Sequence, residues 1–108
     1  MDMTLRKICD TFGVSRRAIQ GYEKSGLLTA SGKNERGHLL YNEAAQKRIR
    51  KIRFFQQTGF TLKEIAAIID SPNDVLKPAL EQQLHKLKKE KNKLDQLIIE
   101  LHHMIEHL

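Results

Sequence analysis

The chain has 108 residues, with 19 Lys and Arg against 13 Asp and Glu, a formal charge of +6, five histidines and one cysteine. That length allows one small domain plus an extension, and a lone cysteine excludes an intramolecular disulfide and a paired-thiolate metal site. No apolar run reaches membrane-spanning length and the opening MDMTLRK lacks a signal-peptide core, so a reducing cytoplasmic setting is expected. The positive charge is unevenly placed. Residues 1–70 carry 13 Lys/Arg and 7 Asp/Glu, a balance of +6, whereas residues 71–108 carry six of each. A basic footprint confined to one module suggests a polyanion as partner.

In chain order, Thr4 caps a short first helix through Phe12, which Gly13 ends. Cys9 falls in the apolar rhythm of Leu5, Ile8 and Phe12 and reads as a small buried hydrophobe. Ser15 caps a second helix, Arg16 to Lys24, whose inward face is Val14, Ala18, Ile19 and Tyr22. Two short helices joined by a tight glycine-bearing turn form a helix-turn-helix. Leu27-Leu28 and Leu39-Leu40-Tyr41 are two apolar runs around TASGKNERGH, a segment ruled by turn residues that reads as a hairpin, the wing of a winged helix. Asn42 caps a third helix from Glu43 to about Gln57, with Ala45, Ile49, Ile52 and either Phe54 or Phe55 on its buried side. Its cluster Lys47, Arg48, Arg50, Lys51 and Arg53 reads mostly as a solvated face, with Lys47 or Arg50 open as phosphate contacts. Thr61 and Glu64 form a capping box that opens a fourth helix through about Asp70, with Leu62, Ile65, Ile68 and Ile69 inward.

Ser71-Pro72-Asn73-Asp74 is a break, and Pro78 disfavours helix at Lys77. The expected division is therefore a DNA-binding domain over 1–70, a linker over 71–78 and a final helix over 79–108. In that helix Leu80, Leu84, Leu87, Lys91, Leu94, Ile98, Leu101, Ile105 and Leu108 alternate in steps of four and three, a coiled-coil seam. A single helix in water cannot hide such a stripe. Roughly 30 residues make a helix of about 45 Å, longer than the small domain is wide, so a dimer is expected. Flanking charges favour antiparallel strands. Matching Lys91 with Leu94 and Leu87 with Ile98 of a second copy brings Lys88 near Asp95 and Glu81 near His102, whereas a parallel pair sets Glu90 beside Asp95. Lys91 either fixes register or snorkels out. His103 and His107 are spaced i, i+4 but occupy outward positions, and no metal or cofactor site is expected.

VSRRAIQGYEKSGLL (14–28) resembles the helix-turn-helix of MerR-type transcription regulators, whose pattern is V-S-x-x-T-I-R-x-Y-E-x-x-G-L-L. RGHLLYNE resembles the end of their wing, and RFFQQTGFTLKEIAAIID the segment after it. The long last helix is similar to their antiparallel dimerisation helix. The resemblance covers residues 4–70 by motif and the remainder by architecture, and is to a short form without a C-terminal effector-binding domain. It implies a mainly α fold: a winged helix-turn-helix followed by a long antiparallel coiled-coil helix.

The resemblance further implies a homodimer that sets one recognition helix per subunit in successive major grooves of a pseudo-palindromic promoter site and distorts it, with RNA polymerase as a second partner. The DNA-contacting residues would be Arg16, Arg17, Gln20 and Tyr22, with Lys33, Arg36 and His38 of the wing on the flanking backbone. Arginine pairs bidentately with guanine or grips phosphate, so both roles are open to Arg16 and Arg17. Tyr22 matches the family tyrosine whose hydroxyl reaches a phosphate, and it also reads as a core aromatic. Three positions depart from the pattern. Gln20 stands for an arginine, Gly21 for a frequent tyrosine and Leu39 for a wing arginine, which shifts the grip toward Arg16, Arg17 and Arg36. An architectural DNA-bending protein of the excisionase kind is the alternative, and an interaction protein using mainly its coiled coil is a third reading. An enzyme is disfavoured, because no catalytic pair, phosphate loop or metal cluster stands at workable spacing.

Overall fold

Every helix of the N-terminal half starts at a side chain that accepts a hydrogen bond its first turn would otherwise leave unmade. In the computed structural model, which describes residues 1–108, Thr4 accepts from the Lys7 amide at the head of α1 (Leu5–Phe12). Ser15 accepts from Ala18 at 3.0 Å for α2 (Arg16–Lys24), and Asn42 from Ala45 at 2.9 Å for α3 (Glu43–Gln57). Thr61 and Glu64 cap each other's backbone at α4 (Leu62–Ile68). The turn from α1 to α2 requires φ of +63° at Gly13, a left-handed conformation that glycine adopts without a Cβ penalty. Three short antiparallel strands complete the half: β1 (Met3–Thr4), β2 (Gly32–Lys33) and β3 (Leu39–Tyr41), in the order β1-β3-β2. Met3 lies opposite Tyr41, and Lys33 opposite Leu39.

The chain divides into two compact units, Met1–Ser71 and Pro72–Leu108. The core of the first is built from Ile8, Ile19, Tyr41, Ile49, Ile52 and Ile65, all fully buried, with Val14, Tyr22, Leu27, Leu28, Ala45, Phe55 and Ile69 around them. Every helix and the last wing strand contribute, so the sheet and the helix-turn-helix share one core. The second unit is a single helix, α5 (Asn73–Glu106), in which no residue is buried. Along it Leu84, Leu87, Leu94, Ile98, Leu101, Ile105 and Leu108 stand exposed. No helix of the chain is long and apolar enough to cross a membrane.

The structure corrects the sequence reading in several places. Leu27-Leu28 is not the first wing strand: both side chains enter the core, and the strand falls at Gly32–Lys33, inside the stretch read as loop. Strand β1 has no apolar pattern of its own and exists because the start of the chain pairs with β3. Of the two candidate phenylalanines, Phe55 is buried and Phe54 is 60% exposed. The segment 71–78 is not an extended linker. Helix α5 begins at Asn73 and runs through Pro78, because a proline in the second turn removes only one backbone bond near an end where several donors are already unpaired. Cys9 is half-buried.

Candidate nucleic-acid interface

Helix α2 has two faces. Ile19 and Tyr22 are buried, while Arg16, Arg17 and Gln20 are exposed along its start and middle. Tyr22 is 2% exposed, and its hydroxyl donates to Gln56 Oε1 at 2.7 Å, bracing α2 against α3. Burial pushes the phenol's pKa up, with the Arg53 charge acting in the opposite direction. Of the two roles open to Tyr22, the structure fills the core one and already commits the hydroxyl's proton to Gln56.

The wing tip is a built turn. Asn34 Oδ1 accepts from the amides of Arg36 at 2.9 Å and His38 at 3.0 Å. The Asn34 amide donates to the His38 carbonyl, and the Gly37 amide to the Asn34 carbonyl. Gly37 sits at φ +79°, where a side chain would be strained. Lys33, Arg36 and His38 therefore project, all exposed, from a turn whose backbone is hydrogen-bonded. At the wing's base Tyr41 donates its hydroxyl to Glu23 of α2, so wing and recognition helix are joined directly. Burial, then this bond, raises the Tyr41 pKa far above the ordinary phenol value.

The start of α2, the start of α1 and the wing tip line one cleft of about 500 Å³, formed by Thr4, Leu5, Arg6, Arg16, Gly37, His38 and Leu39. It brings together Arg16 and His38, two residues singled out in sequence, and adds Arg6, which was not. Arg6 carried no signal by itself, since a polar residue in a first turn is ordinary. Its place depends on the β1–β3 pairing.

Two of the five basic residues on α3, Arg48 and Arg53, are half-buried braces rather than part of a solvated face, whereas Lys47, Arg50 and Lys51 are exposed, as expected. Arg48 donates through Nε to the Leu27 carbonyl at 2.5 Å and through both terminal nitrogens to Asp70, at 2.6 and 2.9 Å. Arg53 donates to the Phe12 carbonyl at the end of α1. The Arg50 guanidinium lies 5.6 Å from the Phe12 ring centroid, a cation–π contact, and Lys51 reaches the Ile69 carbonyl at 3.4 Å. Lys47 remains an exposed side chain.

Known proteins share this fold and part of its sequence. Residues 3–72 match the model of the MerR helix-turn-helix family of regulatory proteins, and residues 46–108 match the family's DNA-binding model. Over 98 residues the chain is 35% identical to the transcriptional activator mta of Bacillus subtilis, covering 91% of this chain and 38% of that protein. It is 33% identical over 72 residues to the transcriptional activator TipA of Streptomyces coelicolor, covering 67% of this chain and 28% of TipA. The chain thus spans well under half the length of these curated relatives. The crystal structure of the N-terminal part of the B. subtilis multidrug transporter activator superposes with a TM-score of 0.73 at 32% identity, over 95% of this chain and 97% of that one. With a family match that takes in nearly the whole first unit and the long helix after it, the chain belongs to the MerR family of helix-turn-helix regulatory proteins.

Proposed function

We propose that this protein is a transcription regulator that binds a pseudo-palindromic promoter site as a homodimer and distorts it. The observation that carries the reading is the side-by-side display of an exposed Arg16-Arg17-Gln20 helix start and a hydrogen-bonded wing tip bearing Lys33, Arg36 and His38. A helix fits the major groove, and cations on an adjacent finger meet the flanking phosphates. Gln20 faces the groove, Arg16 and Arg17 reach base edges or phosphates there, and Lys33, Arg36 and His38 meet the flanking backbone. Tyr22 braces the recognition helix through Gln56, and a phosphate contact by its hydroxyl requires that proton to leave Gln56.

The second copy is supplied by α5. Its seam of Leu80, Leu84, Leu87, Lys91, Leu94, Ile98, Leu101, Ile105 and Leu108 is apolar at eight of nine positions, and a stripe at that period is covered by another helix of the same period. Antiparallel pairing places Lys88 beside the partner's Asp95 and relates the two DNA-binding halves by a two-fold axis, as a palindromic site requires.

Footprinting and salt-dependent binding on the DNA upstream of the protein's own gene test the reading. The expected result is two-fold symmetric protection and an affinity about a thousandfold or more above that for scrambled duplex. Equal binding and equal bending of every duplex would replace the regulator with an architectural protein. An affinity that did not change with salt would remove DNA as the partner.

A further inference from the structure

The cleft between α1, α2 and the wing tip is unlike the rest of the basic surface. Arg6 comes from the first turn of α1, Arg16 opens α2, and His38 closes the wing turn, so three segments distant in sequence deliver donors to one space. No carboxylate lines it. The carboxylates that pair with cations in this unit are Glu43, taken by the N-terminal amine, and Asp70, taken by Arg48, and both lie elsewhere. Arg48 and Arg53 show how this chain satisfies guanidinium groups it uses structurally: with a carboxylate or a backbone carbonyl. Arg6 and Arg16 are both exposed, and neither has such a partner. Arg6 and Arg16 line one space with no acidic wall, and an anion entering it is attracted by both charges. Leu5 and Leu39 also line the cleft, so its only charged lining is basic.

We propose that this cleft seats one phosphodiester of the DNA backbone, held by Arg6, Arg16 and His38 together. The assignment rests on the DNA-binding function above and divides the two arginines of the recognition helix. Neighbouring residues on a helix point about 100° apart, so Arg16 in the cleft leaves Arg17 as the one directed at base edges. It also makes Arg6, outside both the recognition helix and the wing, part of the grip. Since the seat spans helix and wing, one phosphate fixes the distance between them.

The test compares the wild type with Arg6→Ala, Arg16→Ala, the double variant and Arg17→Ala, each first shown to melt as the wild type does, on the upstream duplex and on a scrambled duplex. Arg6→Ala and Arg16→Ala should weaken both duplexes by the same factor, and their effects should not add, because the two share one phosphate. The double variant should lose one phosphate's share of the salt dependence, which makes it about 3.5-fold less sensitive than wild type to a change from about 50 to about 200 mM salt. Arg17→Ala should instead lower the preference for the upstream duplex. The proposal is overturned if wild type binds DNA steeply with salt while the double variant keeps that slope, or if Arg16→Ala alters sequence preference. It is equally overturned if Arg6→Ala spares DNA affinity but abolishes a rise in melting temperature with pyrophosphate, which would make the cleft a site for a free anion. A wild type with no salt-dependent DNA affinity would instead bring down the DNA-binding function itself.

Discussion

Arg48 joins segments far apart in the chain, holding the Leu27 carbonyl after α2 and the Asp70 carboxylate after α4 with one guanidinium. The bond from Arg48 holds the Asp70 carboxyl below its ordinary pKa. A carboxyl depressed in the folded state adds stability above its unfolded pKa, about 3.9, and loses it as pH falls through the folded value. Wild type should therefore lose melting temperature more steeply than Asp70→Asn between about pH 5 and pH 3, with the two curves converging at the acid end. Thermal scans across that range check it, and parallel curves would show that the pair contributes nothing. Tyr22 poses a different question, because it braces the core through Gln56 and stands on the helix meant for DNA. Tyr22→Phe should cost about 1 kcal/mol in urea unfolding, the net worth of one such hydrogen bond. DNA affinity then separates the two roles: a loss beyond the stability change marks a phosphate contact, and no loss leaves the hydroxyl as a brace.

At the scale of elements, helix α2 carries a glycine at a position where the fold asks for none. A Cβ on Gly21 would meet no heavy atom within 4 Å, and its backbone is not left-handed. Gly21→Ala should stabilise the fold by about 1 kcal/mol, read from the urea midpoint at unchanged slope. Helix α5 offers the opposite case, since Pro78 lies inside it and leaves the Asp74 carbonyl without its backbone donor. Pro78→Ala should raise helicity by circular dichroism and stabilise α5, by at most about 3 kcal/mol because the site is near the helix start. A drop in helicity would mean that the proline is needed to begin the helix. The wing shows why elements are harder to read than caps. Thr4, Ser15, Asn42 and Thr61 act on residues three positions away, so their helices were legible in sequence. Strands β1 and β2 are two residues each: turn residues announced the β2–β3 hairpin but not which residues form β2, and no local pattern announces the pairing of β1 with β3.

For the whole molecule, α5 leaves Leu94 59% exposed and Ile98 51% exposed in the single chain. If a second copy covers them, Leu94→Glu combined with Ile98→Glu should convert the protein to a monomer in sedimentation and abolish tight binding to a palindromic site. A dimer surviving both changes would place the interface elsewhere. The family, the helix-turn-helix, the helix caps and the seam period follow from the sequence alone, because each depends on residues within about one or two helical turns of one another. The tertiary structure decided what local pattern could not. It sent Leu27 and Leu28 into the core instead of a strand, turned Arg48 and Arg53 from solvated cations into braces, and set Arg6 beside Arg16 and His38. The contacts of Arg48 and Arg53, and the placing of His38 with Arg6 and Arg16, join segments about twenty or more residues apart. Whether a basic side chain there is structural or free depends on which carboxylate or carbonyl the fold brings to it, and Arg6 and Arg16 received none.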